Sequence, residues 1–199
     1  MSRNDTSEAL IFRDKAACQV LNDWFDSLQE RGRYDGSPRI NGRAWRAQLR
    51  RVEFPHGIMV TDGYHHLAHR LNEFMQPKDV HSLSLALFAA VVVHASKNNQ
   101  DGSFAQQLGA KINDRECVSR LRFDRLLAAR TPDELCSRLI RVVKLRGELG
   151  INVVSLADGI FLWMQEWLAR QENRELELNP FRRNNVRWAS EYLLSTPHK

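Results

Sequence analysis

Two groups of residues in this 199-residue chain have types and spacings that could do chemistry: a histidine cluster and a set of basic rows. His65 and His69 stand four apart, the spacing with which one helix face presents two imidazoles to zinc. Asp62, His66 and Glu73 are close in sequence. The helical zinc-hydrolase pattern, however, needs a glutamate directly after its first histidine, and His66 stands there instead. His66 and Glu73 also project from other helix faces than His65. The cluster therefore reads as a surface or packing feature, and neither a metal nor another cofactor is expected. No phosphate-binding glycine loop, nucleophile elbow or paired-metal acidic motif occurs, so neither catalysis nor a small-molecule substrate is expected.

The basic residues are better organised. Arg43, Arg46 and Arg50 are spaced i, i+3, i+7 and share one helix face, while Trp45, Leu49 and Val52 repeat that spacing on another. Arg51 adjoins the row, and Glu53 is the one acid nearby. Lys111, Arg115, Arg122 and Arg125 fall within about 80° of one another on a helix expected from Asn113 to Ala129. Arg138, Arg141 and Lys144 recur at steps of three on the next helix, backed by Leu135, Leu139 and Val142, with Arg130 at the joint. Antiparallel packing of these two helices would merge their rows. Guanidinium forks pair bidentately with phosphate and stay charged at any biological pH, so such rows suit a nucleic-acid backbone. The bland reading is a solvated, arginine-rich surface. Trp24, Trp45, Trp163 and Trp167 sit on apolar faces and do not interleave with the rows, which points to backbone contact without base-stacking platforms.

Charge and hydropathy set the frame for these rows. Formal net charge is +5, distributed as −2 over 1–38, +3 over 39–96, +4 over 97–151 and zero over 152–199. Cys18, Cys117 and Cys136 form no CxxC pair, which argues against a disulfide framework or zinc knuckle and for a reducing cytoplasm. Met1–Glu8 lacks a signal-peptide apolar stretch, and the longest apolar run, Leu83–Ala95, is too short for a membrane span.

Helical periodicity dominates, predicting an all-α fold of eight or nine helices in two packed bundles, with no sheet. The expected units are 1–98, carrying an acidic N-terminal extension over 1–40, and 99–199, together forming one compact unit. Helices are predicted over about Ser7–Arg31, from an Asn41 cap to Val52, over Thr61–Met75, and from Pro77 through the apolar run to Ala95. The loop 97–103 marks the internal boundary. Beyond it come a short helix at Phe104–Gly109, the helix from Asn113, and one opened by the Thr131–Glu134 capping box with Pro132 in its first turn. Ser155 is read as the cap of a helix reaching Arg170, and Asn179-Pro180 as the opening of a last helix ending near Leu194.

At the basic segments the sequence resembles the small subunit (CasB family) of the type I-E CRISPR Cascade. GRAWRAQLRRVEFP (42–55), GSFAQQLG (102–109), RLRFDRLLAARTPDELCSRLIRVVKL (120–145) and LADGIFLWMQEW (156–167) are similar to its motifs, in the same order, over roughly residues 41–170. The first 40 residues and the last helix, with Arg182, Arg183 and Arg187, match poorly. The resemblance implies a non-enzymatic, cytoplasmic helical protein. It would work beside backbone and large subunits, crRNA, target DNA and a second copy of itself, helping to hold target and displaced strands in the R-loop. By position, Arg50, Arg51, Arg122 and Arg141 match motif arginines. Lys111, Arg115, Arg125, Arg130 and Arg138 are extensions by proximity. The rival readings are a helical DNA-binding transcription regulator and a scaffold protein that binds acidic protein surfaces.

Overall fold

The computed structural model describes residues 9–29, 41–75, 79–112 and 115–196. Its centre is the apolar run. Every residue from Leu85 to Val93 is buried, and a helix that is apolar all round must be enclosed by others. This helix, α5 (Asp79–Val92), is packed by α3 (His56–Met59), α4 (Asp62–Leu71), α8 (Pro132–Arg146) and α9 (Val153–Gln171). Outside them lie α1 (Lys15–Ser27), α2 (Gly42–Leu49), α6 (Phe104–Gly109), α7 (Arg120–Leu127) and α10 (Asn184–Ser195). One continuous cluster of buried side chains draws on both halves of the chain.

The described residues thus hold ten α-helices, more than the eight or nine expected, together with two 3-10 turns and one small ribbon. That ribbon corrects the expectation of no sheet. β1 (Lys111–Ile112) pairs antiparallel with β2 (Arg115–Glu116), in register Lys111 with Glu116 and Ile112 with Arg115. The helix expected from Asn113 therefore starts only at Arg120 and ends at Leu127. Long-range bonds override the local periodicity here. The Cys117 and Val118 amides donate to the carbonyls of Ala110 and Leu108 (both 2.9 Å), Tyr192 Oη donates to the Val118 carbonyl at 2.7 Å, and Val118 is fully buried.

Most helix starts follow their capping residues. The Asn41, Thr61 and Thr131 side chains accept from the Ala44, Tyr64 and Glu134 amides. Ser155 does not cap α9: Asn152 does, accepting from the Ser155 amide at 2.9 Å, while the Ser155 hydroxyl accepts from the Phe104 amide at the start of α6. The last helix is likewise divided. Asn179 and Pro180 form a 3-10 turn, and α10 begins at Asn184, whose amide donates to the buried Glu166 carboxylate at 2.7 Å. A negative charge at that N-terminus also complements the helix dipole. The first helix opens later than expected, with Asp14 as its cap, and the outer limits of the expected span, Ser7 and Arg31, lie outside the described residues, as does Pro77.

Two close approaches lock the ends together. Gly159 of α9 faces the Trp188 indole so closely that an added Cβ would stand 2.5 Å from a ring carbon. Beside it, the 2%-exposed Asp158 carboxylate accepts from the amides of Leu10 (3.2 Å), Ile11 (2.7 Å) and Phe12 (3.0 Å) and pairs with Arg187 of α10 at 3.0 Å. The loop 97–103 is stitched to the following segment: the Asn99 amide donates to Ile151, Ile151 to Lys97, and the Gln107 side chain spans Asn99, Asp101 and Asn152.

Replacing Asp158 by alanine leaves the largely enclosed Arg187 with only the more distant Glu191, at 3.9 Å, as a direct ion-pair partner, and strips three amides of their acceptor. Breaking a buried pair this way costs about 3–5 kcal/mol. The expected result is a melting temperature lower by roughly 6–20 °C in calorimetry.

Candidate nucleic-acid interface

The α2 row is built first by its own helix. Leu49 is buried and Trp45 half-buried, so the opposite side carries Arg43 and Arg50 to the surface while Arg46 is half-buried. Their guanidiniums are directed at helix ends. Arg46 Nε donates to the Val93 carbonyl at 2.9 Å, and its terminal nitrogens reach the Ala95 carbonyl and the Gln29 side chain. Arg50 Nε donates to the same Val93 carbonyl at 2.8 Å, and Arg43 Nε to the Gln29 carbonyl at 3.1 Å. These carbonyls end α5 and α1, where no intrahelical donor remains. Burial, and then the adjacent Arg50, lower the pKa of Arg46 from its ordinary value. The row thus has a structural duty that its spacing does not reveal.

The second set comes from α7 and α8, which pack against each other. Phe123 and Leu126 turn inward on α7, as do Leu135, Leu139, Val142 and Val143 on α8. This leaves Arg122, Arg125, Arg138, Arg141 and Lys144 lining one groove of about 430 Å³, with Val142 and Leu145 as its apolar lining. Arg138 is tied down, pairing with Glu134 at 3.2 Å and donating to the Arg125 carbonyl. Among the described residues, the side chains of Arg122, Arg125, Arg141 and Lys144 make no hydrogen bond or ion pair with the protein. The one acid on α7, Asp124, is held by Arg120 at 2.8 Å rather than by the row.

Lys144 joins the two sets. It also lines a groove of about 650 Å³ with Arg43, Arg46, Arg50, His94, Ser96 and Glu148 among its walls. His94, which periodicity marks only as the odd polar residue in the apolar run, stands between them. Burial, then Lys144, Arg50 and Arg46, hold its pKa down at about 4, so it is neutral at physiological pH. Of the two expected rows, Arg122 and Arg125 of α7 share a groove with Arg138, Arg141 and Lys144 of α8, and Lys144 also lines the groove of α2. Arg51, Lys111, Arg115 and Arg130 line neither groove; Lys111 and Arg115 lie on the ribbon, not on α7, which removes them from the helical row they were expected to share.

The histidine cluster disperses. His66 packs on Trp45 with ring centroids 5.0 Å apart and His65 on Tyr64 at 5.5 Å. Among the described residues, no three of His, Cys, Asp and Glu are grouped to hold a metal. No described helix is long and apolar enough to cross a membrane.

A family model described as CRISPR-associated protein Cse2 matches residues 45–193. The match takes in most of α10, which the motif resemblance left out. No curated protein and no solved structure matches.

Two measurements test this division of labour. Arg46→Ala should cost about 1.5–3 kcal/mol in denaturant unfolding, because carbonyls at the end of α5 lose a charged donor. Arg122→Ala, which removes no intramolecular bond, should stay within about 0.5 kcal/mol. His94 should titrate near 4 by NMR and move upward in Lys144→Gln. Its folded pKa lies below the unfolded value, so its linkage subtracts stability as pH falls from about 6.5 toward 4. His94→Gln should flatten that part of the stability profile.

Proposed function

The chain belongs to the family of CRISPR-associated protein Cse2, the small subunit of type I-E Cascade, and from that premise we propose that it is a non-catalytic subunit that holds nucleic-acid backbone within the complex. The strands held are the target and displaced DNA of the R-loop, beside the crRNA-bearing backbone and large subunits and a second copy of this chain, in the cytoplasm. The observation that carries this reading is the position of Lys144 in the walls of both grooves. Through it, cations from α2, α7 and α8 become one track; Glu148 also lines the α2 side, but the free members of the track form no ion pair among the described residues.

The physical argument is counterion release. Each guanidinium or ammonium that neutralises a phosphate frees condensed cations from the strand, which gives affinity without sequence readout and a steep salt dependence. Arg122, Arg125, Arg141 and Lys144 carry this role. Arg46 and Arg50 keep the α2 side of the track electropositive while holding the end of α5. The neutral state of His94 avoids one further positive charge among them.

Charge reversal at Arg122, Arg141 and Lys144 tests the proposal, because none of the three bonds to the protein. The triple variant should unfold like the parent, bind single-stranded DNA and RNA more weakly in fluorescence anisotropy, and show a salt slope smaller by about 0.7–0.9 per lost phosphate contact. Undiminished binding with an unchanged slope would remove the clamp. A footprint on one defined duplex sequence would instead favour a transcription regulator. Subunit capture that survives nuclease and high salt would favour a protein scaffold.

A further inference from the structure

The α7–α8 groove is more than a row of cations. Its lining includes Val142 and Leu145, and Leu145 is 45% exposed although aliphatic. A phosphodiester chain running along the rim would satisfy the cations and leave this apolar lining against water. Resting on the nucleic-acid reading above, we infer that the groove seats one unstacked nucleobase of a single strand. The base's flat face lies on the exposed Leu145, with the buried Val142 behind it, and its flanking phosphates lie on Arg122, Arg125, Arg141 and Lys144.

Size, charge and chemistry agree on this occupant. The groove of about 430 Å³ has room for a base and its sugar. A duplex keeps its base faces stacked inside and cannot offer one to an apolar surface, whereas a strand separated from its partner can. The groove contains no aromatic ring. The π-face therefore meets aliphatic carbon and the planes of neighbouring guanidiniums, which stack on flat π systems. A seat of this kind accepts any base, because every base has such a face. An acidic peptide would satisfy the cations equally but brings no flat face, so the mixed lining favours the nucleotide.

The test compares the full chain's affinity for a short thymidine oligonucleotide and for its abasic counterpart with the same number of phosphates. The abasic strand should bind about tenfold more weakly, the size expected when one base loses its stacking surface. Leu145→Ser, a change at an exposed position, should weaken thymidine binding toward the abasic level and leave abasic binding and the salt slope unchanged. Equal affinity for the two oligonucleotides, still dependent on Arg122 and Arg141, would overturn the base seat and leave the backbone clamp standing. Failure to bind either one, or binding only of an acidic leucine-containing peptide, would overturn both.

Discussion

A helix whose second half is apolar and buried has to end somewhere, and its last carbonyls need donors that the helix itself cannot supply. In this protein that constraint falls on Val93 and Ala95 at the end of α5, and Arg46 and Arg50 meet it. α5 is packed by four other helices, while α2 packs on α4 and reaches the end of α5 through Arg46 and Arg50. The arginines that satisfy those carbonyls are held at the wall of a groove shared with α8. The electropositive surface is thus partly a by-product of closing the core.

Charged groups in the molecule divide by burial. The enclosed ones are paired or bonded to the backbone: Asp158 with Arg187 and three amides, Glu166 with the start of α10, Arg146 with the Gly150 and Gln107 carbonyls at 3.0 and 2.7 Å. Burial raises the pKa of Glu166, while the Asn184 amide and nearby arginines act against the shift. On α7 and α8, Arg120 and Arg138 are paired with Asp124 and Glu134, whereas Arg122, Arg125, Arg141 and Lys144 have no ion-pair partner among the described residues. Ion pairs at the surface add little stability, so removing carboxylates from this face sacrifices almost nothing in folding and leaves the cations available to a ligand.

The same logic explains how the ends of the chain are held. Asp158 lies in the second turn of α9 and binds backbone amides nearly 150 residues away together with a side chain of α10. Gly159, one residue on, lets Trp188 close over the helix. A single helical turn therefore fastens both the first described segment and the last helix to the core, and it keeps α9 firmly against α5.

Much of the fold can be read in one dimension. Capping residues at Asn41 and Thr131 and the apolar run of α5 identify helices because their signals are local: a side-chain oxygen within reach of an amide three residues on, and a hydrophobic face with helical period. The arginine row of α2 and the α8 row are legible for the same reason. The ribbon at 111–116 and the late start of α7 are not, because they depend on Val118 meeting Leu108 and Tyr192, partners distant in sequence. Nor does spacing distinguish Arg46, spent on a helix end, from Arg122, which is free, since both occupy exposed-looking positions of amphipathic helices. The sequence by itself determined which helices carry cations. Tertiary packing alone decided which cations remain unpaired, that Lys144 joins the two grooves, and that His94 stays neutral between them, because each depends on the distance between helices rather than on order along the chain.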